Sequence, residues 1–251
     1  MSADPSPQTR HTQIYVRGEH LVPLAEGGLW WPQQNTLIVS DLHLEKGSSY
    51  ARAGQLLPPY DTSATLHLVE RLVHALKPER VISLGDSFHE PAAEHRLTQT
   101  DIGRIKALTS ATDWIWVEGN HDPDPPAHLG GRAAKVLRQK SLIFRHEPTG
   151  ELGEIAGHLH PCARIKSKVR TMRRRCFITD GNRLILPAMG AFTGGLNVLD
   201  AAFHACFPEG GHLIFALSKH AVFPVSLKRL IPENLSPAWR ATALEAGAAK
   251  L

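Results

Sequence analysis

Cysteine and aromatic residues are scarce in this sequence. Three of its 251 residues are cysteine, and aromatic residues make up 6%. The odd, sparse set of Cys162, Cys176 and Cys206 has no CxxC spacing and argues against a disulfide framework. Cys162 lies two residues from His160 and is a candidate metal ligand, but we favour the role of a small buried hydrophobe.

Long hydrophobic runs are also absent. No uninterrupted apolar run approaches the roughly 18 residues that a membrane-spanning helix needs. The start, MSADPSPQTRHTQ, has no apolar segment after its Arg and does not resemble a secretory signal. With 42% hydrophobic and 21% charged residues, the chain can bury a core. We therefore expect a cytoplasmic protein with no membrane partner. We expect one domain over 1–251, with a polar start over 1–12 and an Ala-rich tail over 239–251.

Negative charge is missing from one stretch of the chain. This stretch holds seven basic residues and no acid: Arg164, Lys166, Lys168, Arg170, Arg173, Arg174 and Arg175. The net charge of +4 becomes −3 when these seven charges are removed, so the positive charge is local. A run of this density favours binding to nucleic acid or another polyanion over a merely solvated face. If ARIKSKVR is extended, its basic side chains from Arg164 to Arg170 share one face and can follow a phosphate backbone.

Short apolar stretches alternate with helical ones in the first part of the chain. Strands are predicted over 36–41, 80–86, 113–120, 141–147 and 153–160, and helices over 61–76 and 94–109. The second half continues as strands without long helices. This order predicts a layered α/β fold with mixed sheets packed on one another.

A residue of metal-ligand type follows each of these five strands. They are Asp41 with His43, Asp86, Asn120 with His121 and Asp122, His146, and His158 with His160. Ligands bind at the carboxyl ends of strands in open α/β sheets. In an extended segment, residues two apart share a face, so Asp41 and His43 can bind one ion, as can His158 and His160. Oxygen and imidazole donors without thiolate suit Mn²⁺ or Fe²⁺, with Zn²⁺ as an alternative.

Together, these strand ends carry a family resemblance. DLH at 41–43, GD at 85–86, GNHD at 119–122, His146 and GHLH at 157–160 resemble the five-block signature of the calcineurin-like metallophosphoesterases. The resemblance implies a double-layered mixed β-sandwich flanked by helices, with a centre of two divalent metal ions, for which Mn²⁺ is the expected metal.

The same resemblance implies a role for each motif residue. Asp41, His43 and His160 would hold one ion, Asn120, His146 and His158 the other, and Asp86 would bridge both. His121 would stabilise the transition state or protonate the leaving group, and Asp122 would orient His121 or its loop. One departure is His89, since many relatives have an acid three residues after the bridging Asp.

A narrower resemblance extends over most of the chain. SDLHLEKGSSYARAGQLLPPYDT, RHEP, GHLHP and PAMGAFTGGLNV resemble the DNA-ligase-associated metallophosphoesterases, a bacterial branch linked to the DNA damage response. This implies a DNA endonuclease in repair, in functional association with a DNA ligase and a helicase. In the loop over 47–61, Tyr50 and Arg52 are candidates for shaping the substrate entrance. The alternative, an ordinary Pro-anchored surface loop without such a role, is equally consistent with the sequence.

Two other functions stay open. A small-molecule phosphodiesterase or pyrophosphohydrolase would use the same metal centre on a cyclic nucleotide or nucleotide substrate. A non-catalytic scaffold that binds DNA or protein is the second alternative. The scaffold is disfavoured because all seven candidate ligands and His121 are present.

Overall fold

Two mixed β-sheets face each other across the main core in the computed structural model of the chain. The structure describes residues 12–52, 54, 60–91, 93–124 and 126–233. The predicted polar start lies outside the described residues except for its last position, and the predicted Ala-rich tail lies wholly outside them.

The first sheet has seven strands in chain order. They are β1 (Ile14–Val16), β2 (Glu19–Pro23), β3 (Leu29–Trp31), β4 (Thr36–Val39), β5 (Arg80–Leu84), β6 (Asp113–Val117) and β7 (Arg132–Ala134). Neighbours from β1 to β4 are antiparallel, and neighbours from β4 to β7 are parallel. Three helices occupy the connections: α1 (Lys46–Arg52), α2 (Asp61–Leu76) and α3 (Gln99–Ala111).

The second sheet is built from the later part of the chain. Its elements are β8 (Leu137–Gln139), β9 (Leu142–Phe144), β10 (Glu154–Ala156), β11 (Cys162–Lys166), β12 (Thr171–Thr179), β13 (Leu184–Ile185), β14 (Leu213–Leu217) and β15 (Val222–Val225). The strand order is β15-β14-β12-β13-β10-β9-β8, and β11 pairs with β12 off this path. Strand β10 is parallel to β9 and β13. A short helix, α4 (Ala202–Cys206), precedes β14.

The core lies between the two sheets. Ile38, Ile82 and Ile115 of the first sheet belong to the same buried cluster as Phe144 and Phe177 of the second. Alternate side chains of the first sheet point outward and pack under α2 and α3 in a separate cluster. Since central strands are buried on both faces, they read as continuous apolar runs.

This architecture confirms the predicted layered α/β sandwich. The predicted helix over 61–76 forms as α2, with those bounds. The predicted helix over 94–109 is wrong at its start, since α3 begins at Gln99. The Thr98 hydroxyl accepts a hydrogen bond from the Asp101 amide and so caps the helix there. No helix among the described residues is both long and apolar enough to cross a bilayer.

Candidate metal centre

Polar side chains collect where strands of both sheets end. In the first sheet, β4, β5 and β6 are parallel, so their carboxyl ends meet at one edge. In the second sheet, β9 and β10 are also parallel to each other. The predicted ligands follow these five strands: Asp41, His43, Asp86, Asn120, His146, His158 and His160. The site therefore lies at the seam between the sheets.

Asp41, His43 and His160 form the first of two ligand groups, with one ligand atom of each within 4.8 Å of the others. Asp41 Oδ1 lies 3.0 Å from His160 Nε2. His43 Nε2 lies 3.3 Å from the same nitrogen. Asp41 and His43 are buried, whereas His160 is partly exposed, so solvent reaches this group from the His160 side.

Asp86, His146 and His158 form the second group, within the same limit. The expectation that His158 and His160 bind one ion from an extended segment is wrong, because both have a left-handed φ and they fall in different groups. His146 Nε2 lies 3.3 Å from Asp86 Oδ1 and 3.1 Å from His158 Nδ1. Asn120 joins them, with its Oδ1 2.8 Å from His146 Nε2 and 3.0 Å from His158 Nδ1. Asp86 Oδ2 lies 3.8 Å from His43 Nε2, so this carboxylate stands between the two groups.

The donor set fits two divalent cations. Two carboxylates, one amide oxygen and four imidazoles supply oxygen and nitrogen lone pairs, with no thiolate. Ring nitrogens of two histidines face each other within each group, at 3.3 Å in the first and 3.1 Å in the second. A cation between such lone pairs would stabilise an arrangement that is otherwise poorly satisfied, and this set suits Mn²⁺, Fe²⁺ or Zn²⁺.

The backbone of the site is strained at the ligands themselves. Five of them have a left-handed φ: Asp41 at 51°, His43 at 44°, Asp86 at 47°, His158 at 67° and His160 at 46°. A non-glycine residue in this region costs on the order of 1 kcal/mol and persists where the surrounding structure enforces it. Here, the loops enforce it by pairing, since His43 N donates to Asp86 O over 2.9 Å. Strain concentrated in this way is typical of a functional site.

Two glycines allow the ligand loops to approach so closely. A Cβ on Gly119 would overlap the backbone nitrogen of Asp86, and a Cβ on Gly157 would overlap the Ser40 hydroxyl and the Asp41 carboxylate. Larger residues at these positions would push apart the loops that carry the two carboxylates.

Buried charges in the metal-free centre shift each other's pKa. Burial opposes ionisation of Asp86, but the hydrogen bond and charge of His146 outweigh it and hold the pKa of Asp86 well below its usual range. Burial likewise opposes protonation of His146, yet Asp86 and Asp41 raise its pKa to about 9. Burial lowers the pKa of His43 to about 3, so that ring is neutral at neutral pH and can offer a lone pair to a metal.

A family model decides the class of this site. Residues 35–201, more than half of the chain, match the calcineurin-like phosphoesterase family. The chain belongs to this family. The matched region begins just before β4 and contains every strand end that carries a candidate ligand. The family uses a dinuclear metal site, and the two ligand groups of this phosphoesterase supply candidates for it.

Solved structures add a likeness to a nuclease. The nuclease MPE of Pseudomonas putida matches with a TM-score of 0.67 and 26% identity, over 86% of this chain and 100% of that chain. A phosphoesterase from E. coli matches with a TM-score of 0.36 and 13% identity, over 73% of this chain and 88% of that chain, and so supports no conclusion. No curated protein matches the chain.

His121 and Asp122 occupy different surroundings in this phosphoesterase. The His121 amide donates to Asp86 Oδ1 over 3.0 Å, and its side chain is 42% exposed with Nε2 3.9 Å from Asp86 Oδ2. Asp122 is buried, and its Oδ2 accepts from the amides of Ser87 and Phe88 at 2.8 and 3.2 Å. These two hydrogen bonds tie the His121 turn to the loop after Asp86.

His89 is a neighbour of the centre that the sequence analysis noted only as a departure. Its Nδ1 lies 3.5 Å from His43 Nδ1, and its ring stacks on His121 with centroids 5.5 Å apart. Its ring also stacks against Tyr50, which is half-buried, at 6.0 Å. Arg52 is exposed and lies 3.6 Å from Glu90. Of the two candidate entrance residues, the structure therefore brings Tyr50 toward the site and Arg52 into a surface ion pair.

The basic segment forms a β-hairpin, so part of the prediction for it is corrected. Strand β11 ends at Lys166, and the chain turns where Ser167 N donates to Arg170 O over 3.0 Å. Lys168 and Arg170 therefore lie in the turn and not on one strand face with Arg164. The physical reason is the Ser167 hydroxyl, which accepts from the Arg170 amide and stabilises the turn.

Three arginines of this hairpin bond to the protein itself. Arg173 donates to Glu233 over 2.8 Å and to Gly195 O, and Arg175 donates to Ala188 O over 2.7 Å. Arg164 donates to Pro232 O over 2.6 Å. The remaining four cations are exposed, and within the described part of the chain their side chains make no hydrogen bond or ion pair: Lys166, Lys168, Arg170 and Arg174. Of the seven, these four are therefore the cations that an external polyanion could bind without displacing a protein contact.

Proposed function

We propose that this phosphoesterase is a two-metal-dependent phosphodiesterase that cleaves DNA, acting as an endonuclease in DNA repair. The observation that carries the proposal is the pair of ligand groups with the Asp86 carboxylate between them. A two-cation centre suits in-line displacement at a phosphodiester and needs no nucleophilic side chain. The likeness to a nuclease over the whole length of that protein supports nucleic acid as the substrate.

In this proposal, the seven ligands divide as the two groups do. Asp41, His43 and His160 hold one cation, Asn120, His146 and His158 hold the other, and Asp86 contacts both. Bound there, two Mn²⁺ ions would activate water and neutralise charge on the phosphoryl oxygens. Asp122 acts indirectly, by holding the loop that positions Asp86.

His121 is the proposed catalytic residue beside the ligands. Its backbone is fixed by the bond to Asp86, while its ring remains accessible to a substrate. The His89 ring stacked on it limits the positions that the imidazole can take. We infer that His121 donates a hydrogen bond to the phosphoryl group and a proton to the leaving oxygen.

The basic hairpin supports a polymeric substrate. Strand β11 begins two residues after His160, and at about 3.3 Å per residue its tip lies roughly 13 Å beyond Cys162. Lys166, Lys168 and Arg170, here called the hairpin tip, can therefore contact phosphates a few nucleotides from the one being cleaved. Such contacts position a strand without reading its sequence. Tyr50 and Arg52 remain proposed contacts at the entrance.

The testing experiment compares a small and a polymeric substrate. Purified protein with Mn²⁺ is assayed on bis-p-nitrophenyl phosphate and on labelled single-stranded DNA, with His121→Ala and Asp86→Asn as site variants. The hairpin tip is changed in Lys166→Ala/Lys168→Ala/Arg170→Ala. Its matched control is Lys106→Ala/Lys135→Ala/Lys219→Ala, three exposed lysines outside the hairpin.

We expect both site variants to lose both activities, and the tip variant to lose only DNA cleavage. Cleavage of the small diester with no DNA cleavage in any buffer would point to the small-molecule phosphodiesterase instead. Inactivity on both substrates with every divalent metal would support the scaffold. The link to DNA repair, an association with a DNA ligase and helicase, and a cytoplasmic location are parts of the proposal that rest on motif resemblance.

A further inference from the structure

Lys46 is a buried cation beside the metal centre with no assigned role. It begins α1, three residues after His43, and is 9% exposed. Among the described residues, no oxygen lies within hydrogen-bond or ion-pair distance of its ammonium, and its recorded neighbour is the Tyr50 ring, 5.9 Å away. An ammonium has three donors, and among the described residues none of them meets a protein oxygen. This side chain therefore lacks an anionic partner.

Neighbouring rings connect Lys46 to the side of the centre formed by His43 and His89. The Tyr50 ring lies 5.9 Å from the Lys46 ammonium and 6.0 Å from the His89 ring, and His89 Nδ1 lies 3.5 Å from His43 Nδ1. The Tyr50 ring under Lys46 stacks on His89, which stacks on His121. Lys46 thus lies in one row of neighbouring side chains with Tyr50, His89 and the proposed catalytic residue His121.

Two acids, Asp61 and Asp86, favour the charged form of Lys46, but both have other contacts. Asp61 accepts the Gly47 amide over 2.8 Å and fixes the start of α1. Burial lowers the pKa of Lys46 and the charge of Asp86 opposes this shift, but Asp86 is also the carboxylate that stands between the two ligand groups. If Asp86 held cations there, its charge would no longer compensate the ammonium. An anion that enters the centre would restore the balance.

The base of α1 holds Lys46 in place. Glu45 N donates to the Thr62 hydroxyl over 2.8 Å, and the Arg96 Nε donates to the Ser48 hydroxyl over 2.9 Å. The first turn of α1 is therefore tied on both sides to neighbouring elements. A cation fixed in this way is suited to binding one oxygen of a phosphate rather than to following a mobile chain.

We propose that Lys46 binds a non-bridging oxygen of the substrate phosphate at the two-metal centre, as a substrate-positioning cation. This inference rests on the proposed function, since it needs a phosphate at that centre. Tyr50 then acts through Lys46, because the Lys46 ammonium lies over its ring at 5.9 Å from the centroid. Its placement between Lys46 and His89 gives it a role in the site that is distinct from a surface loop.

The test measures phosphate binding as well as activity. Lys46→Met removes the charge and keeps the length, Lys46→Arg keeps the charge, and Lys106→Met on the exposed face of α3 is the matched control. Each Mn²⁺-loaded protein is titrated with inorganic phosphate by calorimetry and assayed on bis-p-nitrophenyl phosphate. Mn²⁺ binding and melting temperature are measured alongside.

We expect Lys46→Met to weaken phosphate binding and to raise KM about tenfold, since a charge-assisted hydrogen bond is lost, while Mn²⁺ binding is unchanged. Lys46→Arg should retain most of the affinity, and Lys106→Met all of it. If Lys46→Met does not fold, Lys46→Gln replaces it.

Phosphate binding equal to that of the parent protein would overturn the inference, and so would a loss of Mn²⁺ binding in step with phosphate. Either result would make Lys46 a structural cation. Parent protein that binds no phosphate would overturn it as well. Phosphate binding that depends on Lys46 in a protein that cleaves no diester would instead contradict the proposed function alone.

Discussion

At the residue scale, the site depends on close backbone approach. Gly119 lies against the backbone of Asp86, and Asp86 is itself in the left-handed region. The loop geometry that brings one carboxylate between two ligand groups is therefore intolerant of even one added carbon.

Gly119→Ala tests this dependence. The added methyl overlaps the Asp86 nitrogen, so we expect the free energy of unfolding to fall by about 1–3 kcal/mol and Mn²⁺ binding to weaken. Chemical denaturation and calorimetry provide the two measurements. Gly103→Ala is the control, because a Cβ there meets nothing within 4 Å and helix α3 should gain about 1 kcal/mol. Equal stability of the two variants would contradict the expected clash.

The pKa of His146 predicts how metal-free stability depends on pH. Its pKa rises from 6.5 to about 9 on folding, so its contribution is fully present below pH 6.5 and is lost as the pH rises through 9. We expect the free energy of unfolding in EDTA to fall by on the order of 3 kcal/mol over this window. Urea denaturation at several pH values measures it. His146→Gln should flatten the dependence, and an unchanged slope in that variant would refute the assignment.

At the scale of elements, the β11–β12 hairpin carries cations that bind the protein itself and cations that are exposed to solvent. Arg173 and Arg175 hold the hairpin to the loops around Gly195 and Ala188, whereas the hairpin tip points to solvent. Removing all the arginines of 173–175 together would mix a structural effect with a loss of phosphate contacts. The hairpin tip is the cleaner target.

The salt dependence of DNA binding should therefore weaken when the tip is removed. Each phosphate contact on a single strand contributes about 0.7 to the slope of log K against log salt. Removing Lys166, Lys168 and Arg170 should reduce that slope by roughly 2, as measured by fluorescence anisotropy of a labelled single strand in EDTA. The Lys106/Lys135/Lys219 control should keep the parent slope. A tip variant with the parent slope would place the DNA elsewhere.

At the scale of the whole molecule, the centre joins the two sheets. Asp41, Asp86 and Asn120 follow strands of the first sheet, and His146 and His158 follow strands of the second. Cations held by both sets would cross-link the sandwich at its seam. Metal binding and global stability should thus be linked.

Mn²⁺ should raise the melting temperature in a concentration-dependent way. A ligand that binds only the folded state adds about 2.7 kcal/mol at a concentration 100 times its Kd. We expect calorimetric melting to shift upward with Mn²⁺ in the parent protein and much less in Asp86→Asn. Asp113→Asn, at the exposed start of β6, is the control and should respond like the parent. An Asp86→Asn protein with the full shift would mean that the ions bind elsewhere.

Much of this protein is determined locally and can be predicted from the sequence. Apolar residues spaced with the strand and helix periods predicted the alternating α/β order, and α2 has the predicted bounds. The prediction succeeds because the spacing of apolar residues along the chain determines which face of an element is buried. The candidate ligands were found because polar residues of one chemical type follow strand after strand. Parallel strands ending at a common edge bring Asp41, Asp86 and Asn120 together, and the histidines of the second sheet complete the two groups where the sheets meet.

Other features were decided only by the tertiary structure. Arg173 and Arg175 read as part of a phosphate-binding run, yet carbonyl groups distant in sequence bind them. Lys46 and His89 gave no clear signal, since their significance comes from the rings and charges that the fold brings beside them. Spacing along the chain determines which face a side chain shares with its neighbours. Its partners across the molecule depend on how separate loops approach, and no local pattern encodes that distance.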